Sequence, residues 1–302
     1  MAGERDLRES RSRAMEMRAE RKKVQEQMKA DGFAPMTVGG KIVGGSNASE
    51  GEYPWMVALV DADEESNYDG QFCGGTLIHP YWVITAAHCV AGMPPENVEV
   101  VLGVTDLSDS PEARRIAVAE VILAPGYNDY TLDSDFALLR LKEPADERFT
   151  PLSLADDPSL VEPGVVATIT GWGDTTYREG EYASRLQELQ VPIVPWEEGV
   201  EDYDFLTENM LVAGYPEGGK DACPGDSGGP LLVPPTEGAG WVLGGVISFG
   251  CTEPGLYGGH VKIGNYRDFV IGHIFPNYAE WERKNGPAVV AATPRATISS
   301  WP

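Results

Sequence analysis

From Ile42 to Phe275 the apolar residues fall in short runs separated by Gly, Pro, Asn and Asp. Nine of these runs, each four to nine residues long, read as strands: Trp55–Val60, Trp82–Ala87, Val98–Leu102, Ile116–Leu123, Ala137–Leu141, Val165–Ile169, Leu186–Val194, Pro230–Val233 and Trp241–Ile247. Brevity, β-branched content and flanking turn residues are the marks of extended chain. So many short strands with almost no helical periodicity predict an all-β barrel or sandwich. Tyr266–Phe275 is the exception, with Tyr266, Phe269, Val270 and Ile274 on one helical face.

Residues 4–30 have another texture. They contain no Pro or Gly and set Glu4 with Arg8 and Glu9 with Arg13 at i,i+4 spacing, which predicts a solvated helix. Its apolar seam (Leu7, Ala14, Met17, Val24, Met28) is interrupted by Ser10 and Arg21 and supports a coiled coil only weakly. Asp31-Gly32 ends it, and residues 35–40 read as a flexible, cleavable linker. Residues 277–302 are Ala/Pro/Thr-rich and read as a loosely ordered extension. The expected organisation is a leader over 1–41, a folded domain over 42–276 and a tail over 277–302.

Charge sharpens this division. The leader carries ten Lys or Arg against seven Asp or Glu, whereas the remaining chain carries 13 against 40 and holds −27. Such a field repels nucleic acid and anionic lipid, and it favours cationic partners or a salty habitat. No apolar run approaches the roughly 20 residues of a membrane-spanning helix. Cys73, Cys89, Cys223 and Cys251 include no CxxC pair, so two disulfides in an oxidising compartment are favoured over zinc ligation. The first residues lack the apolar stretch of a signal peptide.

Two short segments carry possible chemistry. Cys223-Pro-Gly-Asp-Ser-Gly-Gly-Pro presents Ser227 in a Gly-rich turn, where backbone N–H groups can converge on a reacting carbonyl. Thr85-Ala-Ala-His-Cys supplies His88, a potential base. Either alone is compatible with an ordinary turn or a core histidine.

Together with Ile42-Val-Gly-Gly, Tyr53-Pro-Trp, Phe72-Cys-Gly-Gly-Thr-Leu-Ile, Asp135-Phe-Ala-Leu-Leu-Arg-Leu, Gly171-Trp-Gly and Ser248-Phe-Gly, these motifs resemble the chymotrypsin/trypsin family, in its order, from about Ile42 to Phe275. The resemblance implies two packed antiparallel β-barrels with a C-terminal helix, preceded here by the helical pro-segment. It implies a serine endopeptidase with Ser227 as nucleophile, His88 as base and Asp135 as its orienting carboxylate. The N–H groups of Gly225 and Ser227 would form the oxyanion hole, and Ser248 would bond the buried aspartate. Asp133, two residues away, is not the match, because only Asp135 precedes Phe-Ala-Leu-Leu.

By the same resemblance Asp221 forms the floor of the primary pocket and Gly250 and Gly255 its small walls, with Phe249 and Leu132 beside the substrate. Peptides with Arg or Lys at P1, the residue whose carbonyl is attacked, are the implied substrates. Cleavage after Lys41 by an activating protease would free Ile42 to pair with Asp226, and protein inhibitors are implied partners. Cys73 would pair with Cys89 and Cys223 with Cys251; two further family bridges are replaced by Ala167 with Val233 and approximately Val200 with Val212. No cofactor is expected, and no metal, since Val104 stands where the family's calcium loop commonly has a carboxylate and leaves Asp106, Asp109 and Glu112 as surface charges.

Gly250 meets Cys251 about two residues early, Phe249 replaces the usual Trp, and Tyr257–Asn265 has extra residues, so subsites beyond P1 are open. His79, His260 and His273 have no motif support and read as structural. The implied location is extracellular or periplasmic. A non-catalytic binding protein of the same fold and an intracellular enzyme are the alternatives; the first is disfavoured because no triad or pocket residue is missing.

Overall fold

The structure, a computed structural model, describes residues 44–176, 180–216, 220–234, 240–251 and 257–275. The expected pro-segment helix, Lys41, Ile42, Gly255 and the tail lie outside the described residues.

Six strands close the first barrel: β2 (Met56–Asp61), β3 (Gln71–His79), β4 (Trp82–Thr85), β5 (Val98–Leu102), β6 (Arg114–Leu123) and β7 (Ala137–Leu141), in the order β2-β3-β4-β7-β6-β5. Every pairing in it is antiparallel. Val57, Leu59, Val83, Val100, Val118 and Leu139 have no solvent exposure, because the strands' apolar positions turn into one core.

The second layer is an antiparallel sheet in the order β1 (Ser46–Asn47), β10 (Gln187–Pro192), β9 (Val166–Gly171), β12 (Pro230–Val233), β13 (Val242–Phe249), β14 (Gly258–Lys262) and β11 (Met210–Ala213). A two-residue β8 (Ser153–Leu154) lies parallel on β13. The sheet is a half-barrel whose end is drawn round by an Ile193–Ala213 bridge and by the Val194 N–H donating to Val212 O at 3.0 Å. A short helix over Arg267–Ile274 follows β14 and buries Val270, Ile271 and Ile274. Phe136 anchors that end of the chain to the barrel, its ring 4.7 Å from Tyr266 and 5.9 Å from Phe269.

The run expected as a strand over Trp82–Ala87 stops at Thr85. Ala87–Val90 then forms one helical turn with no side-chain N-cap at Ala86. One of its orphan donors, the His88 N–H, is taken by Asp135 Oδ1 at 2.8 Å. The disulfides Cys73–Cys89 and Cys223–Cys251 form as expected. Each contributes about 3 kcal/mol on the loop-entropy estimate.

Candidate active site

The cleft between the two layers gathers residues from both. His88 and Asp135 come from the barrel, on the turn after β4 and just before β7; Ser227 and Asp221 come from the loop before β12, and Ser248 from the end of β13. Asp135 has no solvent exposure. Its Oδ2 lies 2.7 Å from His88 Nδ1 and also accepts from the Ser248 hydroxyl at 2.6 Å. With Oδ1 on the His88 backbone, the carboxylate fixes both the ring and the turn that bears it. The His88 side chain remains 30% exposed, and its Nε2 lies 3.8 Å from Cys89 Sγ.

Asp135 is held by an unusual stretch of backbone. Leu132 and Ser134 both take φ of 57°, a left-handed conformation that costs a non-glycine residue about 1–3 kcal/mol. Two anchors maintain it: Asp133 accepts from Thr207 Oγ1 at 2.6 Å and Asn209 Nδ2 at 3.1 Å, and the Ser134 hydroxyl bonds the Tyr266 hydroxyl at 2.7 Å. Asp133 therefore ties the loop to the second layer while Asp135 faces His88.

Ser227 is half-buried, and its carbonyl accepts the Gly74 N–H at 2.8 Å, which joins the loop to β3. Among the described residues no hydrogen bond reaches its hydroxyl. Serine–histidine bonds of this kind commonly tighten only once substrate is bound. The neighbouring amides divide in two: those of Asp226, Gly228 and Gly229 bond to Cys223 O, Ile247 O and Asp226 O. Those of Gly225 and Ser227 have no partner among the described residues, which leaves two donors free on either side of Asp226. Gly225 has φ of +99°, a conformation suited to glycine. Its carbonyl accepts from Gln71 Nε2 at 2.8 Å. Sequence reading passed over Gln71, a polar residue at the start of a strand whose role appears only through this long-range bond.

Two more buried carboxylates complete the loop. Asp226, with no exposure, accepts from the Gly173 and Cys223 amides at 2.8 and 2.9 Å. Burial pushes it up to about 7, and the charges of Asp221 and Asp174 add to the rise. Asp221, 6% exposed, accepts from the Ala222 amide at 2.7 Å and the Cys251 amide at 2.5 Å. Burial outweighs those donors and raises it to about 6. A Cβ on Gly250 would stand 3.0 Å from Asp221 Oδ1, and one on Gly258 2.9 Å away. Gly258 is thus a described neighbour of the Asp221 carboxylate that the sequence reading did not assign. Phe249 packs with Tyr203 and Phe205, ring centroids 5.1 and 5.2 Å apart, and its ring covers Gly259.

The family model described as Trypsin matches residues 42–270. The chain belongs to the trypsin family. A protein named Trypsin from Saccharopolyspora erythraea is 39% identical over 236 residues, covering 77% of this chain and 98% of that protein. As a trypsin-family serine protease, the chain is a hydrolase of polypeptides. No helix among the described residues is long and apolar enough to cross a membrane.

Proposed function

We propose that this trypsin-family protease cleaves peptide bonds after Arg or Lys, and that it is made as a precursor activated by a cut between Lys41 and Ile42. The observation carrying the specificity is Asp221, a buried carboxylate with glycines at 250 and 258 against it and no cation beside it among the described residues. A guanidinium or ammonium entering beside it replaces the lost hydration with an opposite charge, whereas an apolar side chain leaves the carboxylate unpaired.

In the reaction, Ser227 Oγ attacks the P1 carbonyl while His88 takes its proton. His88 then gives that proton to the leaving amine, and water repeats the sequence on the acyl-enzyme. Asp135 keeps the His88 Nδ1 proton in place and stabilises the imidazolium. The free amides of Gly225 and Ser227 receive the oxyanion, a contribution worth about 10²–10³ in kcat per donor.

Activation acts through Asp226. Lying between the two proposed oxyanion amides, it has backbone donors but no cation among the described residues, and the new α-ammonium of Ile42 would supply one. The proposed organisation is a pro-segment over 1–41, a peptidase domain over 42–276 and an extension over 277–302, in a protein exported to an oxidising space. Its two disulfides support that location.

A fluorophosphonate provides the test. It should label Ser227 in Lys41-cleaved protein but neither Ser227→Ala nor an intact Lys41→Gln variant, and the cleaved form should hydrolyse Arg esters. Equal activity in verified intact Lys41→Gln would overturn the activation step; absence of labelling in cleaved protein would overturn catalysis.

A further inference from the structure

His260 has no part in the chemistry described so far. It occupies the middle of β14, opposite Ile247 of β13 and Leu211 of β11, and is 1% exposed. Its Nδ1 is buried without a hydrogen-bond partner. Burial pushes the imidazole down to about 3, so the ring is neutral at working pH. A neutral imidazole carries one N–H, and an unpaired buried N–H is less tolerable than an unpaired acceptor lone pair. The proton therefore belongs on Nε2.

That nitrogen lies beside the same glycine as the Asp221 carboxylate. A Cβ built on Gly258 would lie 2.9 Å from Asp221 Oδ1, 3.5 Å from His260 Nε2 and 3.6 Å from Ala213 O, so both groups come close to the bare Cα of that glycine. Asp221 is the titratable group on the other side of that glycine, and its charge is coupled to that of Asp226. Strands β13 and β11 present Ile247 and Leu211 opposite the histidine, while Lys262 follows two residues along β14.

We propose that His260 is a positioning residue of the primary pocket: its Nε2–H, through one bridging water molecule beside Gly258, orients the Asp221 carboxylate toward the P1 cation. The inference rests on the P1 reading above. Physically, Asp221 is ionised against its burial with two backbone donors, and a third donor opposes the same penalty. Removing that donor raises the carboxylate further. Because a carboxylate loses its charge as pH falls through its pKa, the acid limb of kcat/KM for Arg substrates then moves to higher pH.

The experiment compares pH profiles for matched Arg and Phe peptides in activated wild type, His260→Phe and His260→Gln. His260→Phe should move the acid limb of the Arg profile up by about one pH unit, a roughly ten-fold loss near pH 6 relative to pH 8 expressed in KM. His260→Gln, which keeps a donor, should retain the wild-type limb. A strong wild-type Arg preference with an unmoved limb in His260→Phe overturns this proposal alone; equal wild-type cleavage of Arg and Phe overturns the P1 reading and this proposal with it. A second measurement needs no variant. Nitrogen-15 shifts of the His260 ring in wild type at pH 7 should show the neutral Nε2–H form, and an Nδ1–H tautomer or an imidazolium would refute the assignment.

Discussion

Single atoms set the dimensions of the pocket and of the oxyanion site. At Gly258 a methyl group would approach Asp221 Oδ1 to 2.9 Å, closer than packed atoms tolerate, so the carboxylate must move. Gly258→Ala should therefore lower kcat/KM for Arg substrates about ten-fold or more through KM, while a fluorophosphonate, which does not use the pocket, still labels Ser227. Asp221→Ser should remove most of the preference for Arg over Phe, and comparable values for the two substrates in wild type would defeat the assignment. Gln71 acts from the other side. Its amide holds the Gly225 carbonyl at 2.8 Å and so sets the plane of the peptide beside the oxyanion amide. Gln71→Ala should reduce kcat by about ten-fold or more with little change in KM, because the donors it orients matter most in the transition state.

At the level of elements, the loop between Ala222 and Pro230 holds the one carboxylate through which the proposed activation would act. Asp226 is raised to about 7 chiefly by burial, so folding favours its protonated form. Its contribution to stability is fully present below about pH 4 and lost as pH rises through 7, on the order of a few kcal/mol. A paired α-ammonium removes that loss. Melting temperatures of intact and Lys41-cleaved protein should accordingly diverge in favour of the cleaved form between pH 5 and 7.5, and Asp226→Asn should abolish the divergence. The elements themselves were unevenly legible. Strands such as β5, β7 and β12 were plain because their apolar runs have clear turn residues at both ends. β3 and β14 were not assigned as strands: Gly74-Gly75 and Gly258-Gly259 interrupt the side-chain alternation, and they are strand residues because neighbouring chain packs against them. The triad candidates were legible because chemistry confines them to short motifs, and Ala167 with Val233 fill one buried cluster in line with their reading as apolar substitutes for a bridge. Gln71, Gly258 and His260 were not, since each acquires its place only from strands distant in sequence.

For the molecule as a whole, charge is the least specific feature and requires placement before it means anything. Of the −27 carried by residues 42–302, five acids fall from the last residue of β2 to the turn before β3, at Asp61, Asp63, Glu64, Glu65 and Asp69. Arg115 pins this segment by donating to the carbonyls of Asp61 at 2.7 Å and Glu65 at 3.5 Å, and Ser66 caps a single helical turn by accepting from the Asp69 amide. Tyr68 then donates to Tyr182 O at 3.0 Å, and a Cβ on Gly225 would meet the Tyr182 ring at 3.2 Å. The segment is thus two contacts from the oxyanion amides, with Asp63, Glu65 and Asp69 exposed. Charges so placed should attract a cationic side chain after the cleaved bond, by about 1 kcal/mol or less per pair and less as salt rises. Peptides differing only at P2′, Lys against Glu, should be cleaved at different rates by activated wild type at low ionic strength, with Lys preferred. The preference should shrink at high salt and largely disappear when the five acids are replaced by Asn or Gln. Equal rates for the two peptides at low salt would mean that the segment contributes to solubility and leaves the choice of substrate to the pocket on the other side of Ser227.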